Sequence, residues 1–312
     1  MGRWPCDTMC RMSELTSLRF VVPAFGLGEA FFGASYGTPE TREALAELGF
    51  VDRQMDYFAA RSAPMGPVPA EVAISAAFGF HPDKVRRYIP AAWELASPEK
   101  ILDVQRRAVD VALRRLLGDW ISSPDAKEIA AATRSVAEGC DFVGRQLTAG
   151  LSSLAWPDEP HMVIWHSFAI LRELRGDSHI AVLVANGFDA CDCHPMMMAG
   201  AAGGCACHAQ FSRYAKRDLV NIPPDPTQGA DREWPIADKQ RAVERLRDRG
   251  LLDDDFTITA AGMELHVEME RQTDLAAGNA CARQLDDDEV ERVAALMAEP
   301  AQLMRQGLTL GV

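Results

Sequence analysis

Apolar residues follow a helical period along most of this chain, which leaves little of it available for β-structure. In residues 98–117 they recur every three or four positions, with arginines between them. That spacing predicts an amphipathic helix. Two other stretches, Thr38-Pro39-Glu40 and Ser123-Pro124-Asp125, carry the hydroxyl, proline and acid that favour the first turn of a helix. The sequence therefore predicts a mainly α-helical protein.

A polar stretch at 219–232 divides the predicted helices into two groups. It contains the run NIPPDPTQGAD, whose Pro, Gly and Asp residues favour turns. We therefore expect a helical domain at 12–218, a linker at 219–232 and a second domain at 233–312. Residues 1–11 precede Met12, an alternative start of the protein, and we expect them to form a disordered tail.

The order of elements in the second domain is typical of a winged helix-turn-helix. A predicted helix at 238–249 is followed by an acidic turn at 253–255 and by strand-like alternation at 256–259. A long helix then runs over 260–275. A hairpin around 251–259 would form a small β-wing. The predicted fold class is therefore mainly α, a helical N-terminal domain plus a C-terminal winged helix-turn-helix with a small β-wing.

Several short runs are similar to those of a known family: 57–68 (YFAARSAPMGPV), 156–161 (WPDEPH), Trp165-His166, 171–179 (LRELRGDSH), 249–252 (RGLL) and 270–274 (ERQTD). Together they resemble actinobacterial proteins described as helix-turn-helix or MarR-like, over about residues 40–280. The resemblance implies a helical N-terminal domain joined to a winged helix. It implies little about function, because the biochemistry of that family is largely unassigned. From Cys191 onwards the chain has more Cys and His than the family pattern predicts.

A duplicated Cys-x-Cys-His element is the sharpest chemical feature of the chain. Its six donors are Cys191, Cys193, His194, Cys205, Cys207 and His208. Thiolate and imidazole are the ligands that zinc and copper(I) prefer, so the element predicts a site for one of these thiophilic metals. Positions i and i+2 point about 200° apart on a helix, so the site requires an irregular turn. Redox-active thiols and simple apolar packing are the alternatives.

A second polar set lies in and after the predicted helix that begins at His161. His166 and Glu173 are seven positions apart and therefore share a helix face. Asp177-Ser178 predicts a cap for a new helix at His179, which could fold back onto that face. His166, Glu173 and His179 could then act as catalytic acid and base, or bind a metal or a small ligand. The alternative is a structural network that ties two helices together, with these further members: His161, Arg172, Arg175 and Asp177.

Charge makes DNA a partner that the sequence allows but does not favour. The formal net charge is -13, with 45 acidic and 32 basic residues, whereas proteins that grip phosphate backbones need clustered positive charge. One helix carries an arginine stripe, Arg241, Arg245 and Arg249, that could contact phosphates or pair with Glu244 and Asp248. No apolar run of about 18 residues predicts a membrane span. We expect a cytoplasmic protein, with a homodimer as an open alternative.

These observations predict a metal- or small-ligand-responsive intracellular protein with a winged-helix domain. Metal binding would order residues 191–208 and shift the winged helix relative to the helical body. The first alternative is an enzyme of specialised metabolism that uses the His/Glu pocket, and the second is a MarR-like transcriptional regulator. Cys140 and Cys281 are each expected to stand alone as packing residues.

Overall fold

The computed structural model describes residues 28, 30–193, 195–196, 232–281 and 285–309, and within these ranges the chain is mainly α-helical, as predicted. No helix of the described ranges is long and apolar enough to cross a membrane. The helices are α1 (residues 30–37), α2 (Pro39–Ala46), α3 (Arg53–Ser62), α4 (Ala70–Ala76), α5 (Pro82–Tyr88), α6 (Ala91–Leu95), α7 (Pro98–Leu117), α8 (Pro124–Glu138), α9 (Gln146–Ser152), α10 (Pro160–Ala185), α11 (Ile236–Asp248), α12 (Ala260–Cys281), α13 (Asp287–Leu296) and α14 (Ala298–Thr309). Two short 3-10 helices lie at Ala63–Met65 and Gly118–Ser122.

Two helices begin at the start signals predicted from the sequence, at Thr38 and Ser123, and α7 begins at a third signal of the same kind, at Ser97. The side-chain oxygens of Thr38, Ser97 and Ser123 each accept a hydrogen bond from the backbone N–H three residues on, and a proline follows each of them. Such a cap satisfies one of the N–H groups that a helix leaves unpaired at its start. Helix α7 consequently spans the whole stretch that its apolar spacing predicts.

Helix α10 is longer than the sequence predicts. It continues for 26 residues through the expected break at Asp177. The Asp177 carboxylate does not cap a new helix, because it accepts hydrogen bonds from the backbone N–H and the hydroxyl of Thr148 in α9, at 2.9 and 2.8 Å. A tertiary contact thus uses the group that would have ended the helix. Helix α10 packs against α8, α9 and α12, and this position explains why its polar residues are buried.

Helices from both parts of the chain build one large hydrophobic core. It joins Leu113 of α7, Ile129 of α8 and Ile164 of α10 to Val293 of α13 and Met304 of α14. The C-terminal helices therefore complete the core of the N-terminal helices. Of the linker predicted at 219–232, only the last residue falls within the described part of the chain.

A smaller core seats α11 against the end of α10. Val182 and Leu183 of α10 and Phe188 beyond it pack with Val243 and Leu246 of α11. Residues 251–252 and Met269 of α12 close this core. The contacts hold α11 beside the segment at 186–193, where the first half of the cysteine element begins.

The prediction of a winged helix with a small β-wing is wrong in this respect: the described residues contain no strand. Between α11 and α12 there is one isolated antiparallel bridge, Leu252 to Ile258. The Asp253 carboxylate accepts hydrogen bonds from the backbone N–H groups of Asp255 and Thr257, at 2.9 and 2.8 Å, so the chain reverses within five residues. Too few residues remain on either side to pair as strands.

The connection instead leads directly into α12. The Thr259 hydroxyl donates to the carbonyl of Gly250 at 2.6 Å and accepts from the N–H of Gly262 at 3.0 Å. A Cβ at position 262 would stand 2.2 Å from the carbonyl oxygen of Leu251. Glycine at this position is therefore what lets the start of α12 lie against the turn.

Candidate functional site

The polar residues of α10 belong to a buried network of charges. Arg61 of α3 donates to both carboxylate oxygens of Glu173, at 3.1 and 2.9 Å, and Arg172 donates to the same two oxygens at 3.2 Å. Burial alone would raise the pKa of Glu173, but the two guanidinium groups outweigh it and lower that pKa to about 2. Glu173 is therefore ionised and a weak base at neutral pH.

The same network links α10 to α12. Arg175 donates to Glu270 at 2.6 Å and to Asp274 at 2.9 Å, and its side chain and that of Glu270 are less than a tenth exposed. One turn further on, His179 Nδ1 lies 3.0 Å from the Thr273 hydroxyl. The segments that carry the family resemblance, 57–68, 171–179 and 270–274, thus meet around these charges.

The three residues predicted to be catalytic have separate partners. Glu173 is bound by two arginines and His179 by Thr273, whereas His166 lies edge-on to Trp156 at a ring-centroid distance of 4.7 Å. The arrangement of Glu173 and His179 matches the structural network that the sequence left as an alternative. The enzyme hypothesis stays a prediction.

His166 is buried against the rings of Trp156 and Trp165. Its side chain is 3% exposed, and its Nε2 has no hydrogen-bond partner among the described residues. Burial, with smaller effects of Arg106 and Arg134, lowers its pKa to about 4, so the ring is neutral at pH 7. His161 is elsewhere on the helix, 2.6 Å from the Asp110 carboxylate.

The first half of the cysteine element lies in a tight turn of acidic residues. The carboxylate of Asp189 accepts from the backbone N–H groups of Cys191 and Asp192, and the Cys193 thiol donates to the Asp189 carbonyl at 3.3 Å. Burial, and then the nearby Asp189 and Asp192, raise the pKa of both thiols to about 12. Cys191 and Cys193 are therefore protonated thiols here, with an irregular turn where the metal hypothesis requires one.

The metal site itself stays a prediction. His194, Cys205, Cys207 and His208 lie outside the described residues. Among the residues that are described, no three His, Cys, Asp or Glu side chains are grouped to hold a metal ion.

The arginine stripe of α11 is present, and intramolecular contacts engage each of its members. Arg245 reaches the Asp192 carboxylate at 2.6 Å and the Asp189 carboxylate at 2.6 Å. Arg249 donates to the carbonyls of residues 186 and 187, at 2.9 and 3.2 Å, and lies over the Phe188 ring. Arg241 forms an ion pair with Asp238. The side chain of Arg245 is nevertheless 43% exposed, so its charge is held at the surface.

Asp189 and Asp192 are site residues that the sequence alone did not single out. They stand 56 and 53 positions before Arg245, and no local pattern pairs groups that far apart. Arg61 lies in the run 57–68 that carries the family resemblance, but nothing in that run identifies Glu173 as its partner. The only available signal was the acidic character of the residues around the first cysteines.

Comparison with known proteins gives one match. The model of a family described as "Helix-turn-helix family" matches residues 24–310, which is nearly the whole chain. No curated protein and no solved structure matches.

Proposed function

This chain belongs to the helix-turn-helix family, and we propose on that basis that it is a DNA-binding regulator whose helical body controls the arginine stripe of α11, hereafter called the arginine face. The observation that carries the proposal is the double ion pair of Arg245 with Asp189 and Asp192. Asp189 and Asp192 follow α10 of the helical body, whereas Arg245 belongs to α11. The narrower MarR-like and actinobacterial assignment is part of this proposal.

The contacts of the arginine face favour a closed state, in which its arginines bind acceptors of the same chain instead of DNA. DNA phosphates are bound by Lys and Arg side chains, and each guanidinium that binds one releases a counterion. In the arrangement described above, Arg245 faces two carboxylates and Arg249 faces two carbonyl oxygens. The exposed aspartates at 254–255, in the turn after α11, add further negative charge. Binding of DNA would require the phosphates to displace these internal acceptors.

The closed state is weak enough to be reversible. An ion pair between exposed side chains contributes about 1 kcal/mol or less, because water screens it and both side chains lose freedom. The pair of Arg245 with Asp189 is of this kind, since the two side chains are 43% and 55% exposed. Asp192 is only 4% exposed, so its contact is the stronger of the two. A modest rearrangement of residues 189–192 would release Arg245.

The finer part of the proposal is the signal that causes release. Cys191 and Cys193 lie in the same turn as the two aspartates, so a ligand that bound there would also move the acceptors of Arg245. A thiophilic ion such as zinc or copper(I) would need both thiols deprotonated. The shared turn is the observation that supports the predicted metal response, and a small organic ligand is the alternative signal.

DNA binding by charge-matched variants tests the proposal. We would measure the fluorescence anisotropy of a labelled random-sequence duplex at several salt concentrations. Asp189→Asn with Asp192→Asn should raise the affinity about 5- to 30-fold, which corresponds to about 1–2 kcal/mol. The control, Asp254→Asn with Asp255→Asn, removes the same charge from an exposed turn and should have a smaller effect.

A third variant identifies the helix that binds. Adding Arg245→Ala and Arg249→Ala to the Asp189/Asp192 variant should abolish the gain in affinity. It should also reduce the slope of log affinity against log salt concentration by the amount expected for about two phosphate contacts. Equal DNA affinities of the Asp189→Asn, Asp192→Asn variant and of its charge-matched control would contradict the closed state. An unchanged affinity after loss of both arginines would contradict the role of α11.

A further inference from the structure

Two cysteines that the sequence treats as separate packing residues meet in the fold. Cys140 follows α8 and Cys281 is the last residue of α12, 141 positions later, yet their sulfurs are 3.2 Å apart. Both side chains are buried, at 6% and 5% exposure. The expectation that each stands alone is therefore wrong, and the reason is that α12 packs back onto the end of α8.

We propose that Cys140 and Cys281 form an oxidisable dithiol that closes into an intramolecular disulfide under peroxide. A disulfide has a sulfur–sulfur distance of about 2.05 Å, so the two atoms need to approach by only about 1 Å. The resulting bond would fasten the end of α12 to the connection between α8 and α9. This site is distinct from the cysteine element at 191–208 and does not depend on the proposed function.

The surrounding contacts hold the two cysteines in register. Asp141 donates its backbone N–H to the carbonyl of Ala280 at 3.3 Å, which joins the residue after one cysteine to the residue before the other. Arg145 donates to the carbonyl of Ala276 at 3.4 Å. These two hydrogen bonds keep the thiols adjacent without the need for a covalent bond.

The hydrogen-bond pattern orients the sulfurs for reaction. Cys140 Sγ donates to the carbonyl of Val136 at 3.2 Å, so a lone pair of Cys140 is free to accept the thiol hydrogen of Cys281. The hydrogen bond to Cys140, and then burial, raise the pKa of Cys281. Cys140 accepts this hydrogen bond and directly precedes the exposed residues 141–144. We therefore assign Cys140 as the first nucleophile.

The oxidation balances with hydrogen peroxide as the oxidant. The Cys140 thiolate attacks one peroxide oxygen, the O–O bond breaks, and the leaving hydroxide takes up the proton lost by the thiol to give water. The product is a sulfenic acid on Cys140. The sulfur of Cys281 then attacks that of Cys140, the S–O bond breaks, and a second water leaves with the Cys281 proton. Two thiols and one peroxide give one disulfide and two waters.

Peptide mapping of the intact full-length protein tests the proposal. Reduced wild-type protein is treated with peroxide, quenched, alkylated and digested, and the peptides are identified by mass. We expect a linked pair of peptides that contains Cys140 and Cys281, lighter by two hydrogens than the reduced pair. The thermal midpoint of the oxidised protein should rise by at least about 5 °C, because a disulfide across so long a loop constrains the unfolded chain.

A variant with two cysteines removes the competing thiols. It carries serine at the other six positions: Cys6, Cys10, Cys191, Cys193, Cys205 and Cys207. Peroxide should lower its free thiol count from two to none, whereas adding Cys140→Ser should prevent any intramolecular link. If the six substitutions prevent folding, the wild-type peptide map decides alone.

The selectivity of pairing in the folded state separates this site from chance pairing. Proximity in the fold should make the Cys140–Cys281 link at least about 10-fold more abundant, relative to links of Cys140 with any other cysteine, in native buffer than in concentrated urea. Equal ratios in the two conditions would overturn the proposal. Accumulation of Cys140 sulfinic acid without a link, or pairing of Cys140 with a different cysteine in the native protein, would overturn it as well.

Discussion

At the scale of single residues, burial decides the charge of the titratable groups along α10. His166 and Glu173 lie two turns apart on one helix, yet their pKa values are lowered for different reasons. His166 is buried, so its charged form loses hydration, and the nearby Arg106 and Arg134 disfavour that form further; the ring therefore stays neutral. Glu173 is held by two arginines, so its charged form is the stable one. Spacing on a helix thus placed both residues correctly without revealing which charge each carries.

Acid should destabilise the protein through His166. Its pKa is about 4 in the folded state against 6.5 for an ordinary histidine, so the unfolded chain takes up the proton first. The stability that depends on the neutral ring is complete above pH 6.5 and is lost as the pH falls towards 4. Between about pH 7.5 and pH 5 the wild type should lose about 2 kcal/mol more than His166→Gln. Urea unfolding at the two pH values measures the difference, and equal losses in both proteins would contradict the neutral buried ring.

At the scale of the elements, the sequence predicts helix starts well and helix ends less well. The hydroxyl and proline signals at Thr38 and Ser123 act within one turn, so local sequence is sufficient to place them. The helix end expected at Asp177 is absent because Thr148, on another helix, donates two hydrogen bonds to the Asp177 carboxylate. Any signal whose side chain can find a distant partner is ambiguous until the fold is known.

The incorrectly predicted β-wing shows the same limit of local sequence signals. Alternation of apolar and polar residues at 256–259 is what a strand would show. The Asp253 carboxylate instead fixes the backbone of the next four residues by hydrogen bonds. The candidate sites follow this rule too: the residues around α10 were identifiable from the sequence, whereas Arg245 with Asp189 and Cys140 with Cys281 were not. These pairs are joined only by tertiary packing.

Replacing Gly262 by alanine should disrupt the turn between α11 and α12. The new Cβ would stand 2.2 Å from the Leu251 carbonyl oxygen, and backbone cannot rotate away as a side chain can. We expect a loss of about 1–3 kcal/mol in the free energy of unfolding. The control is Gly37→Ala in α1, where a Cβ would meet nothing within 4 Å and helix propensity improves. Urea unfolding in which Gly262→Ala is as stable as Gly37→Ala would contradict the close approach.

At the scale of the whole molecule, α12 is packed into the body that the N-terminal helices form. Its residues share the large core with α7, α8 and α10, and its acids pair with Arg175. A swing of the whole C-terminal part would have to break both sets of contacts. Helix α11, in contrast, is held by the smaller core and by surface ion pairs. Local release of the arginine face is therefore a smaller change than movement of a domain.

Cooperative unfolding of α10 and α12 tests this view of the molecule. Because they share a core and a buried ion pair, hydrogen exchange should show both helices losing protection at the same urea concentration. Arg175→Met leaves Glu270 buried without that partner and should lower both midpoints together, by about 3 kcal/mol of stability. The control, Arg271→Met, breaks an exposed pair with Glu268 on the same helix and should cost less than about 1 kcal/mol. Loss of protection in α12 at a urea concentration that leaves α10 protected would show instead that the C-terminal helices unfold as a separate unit.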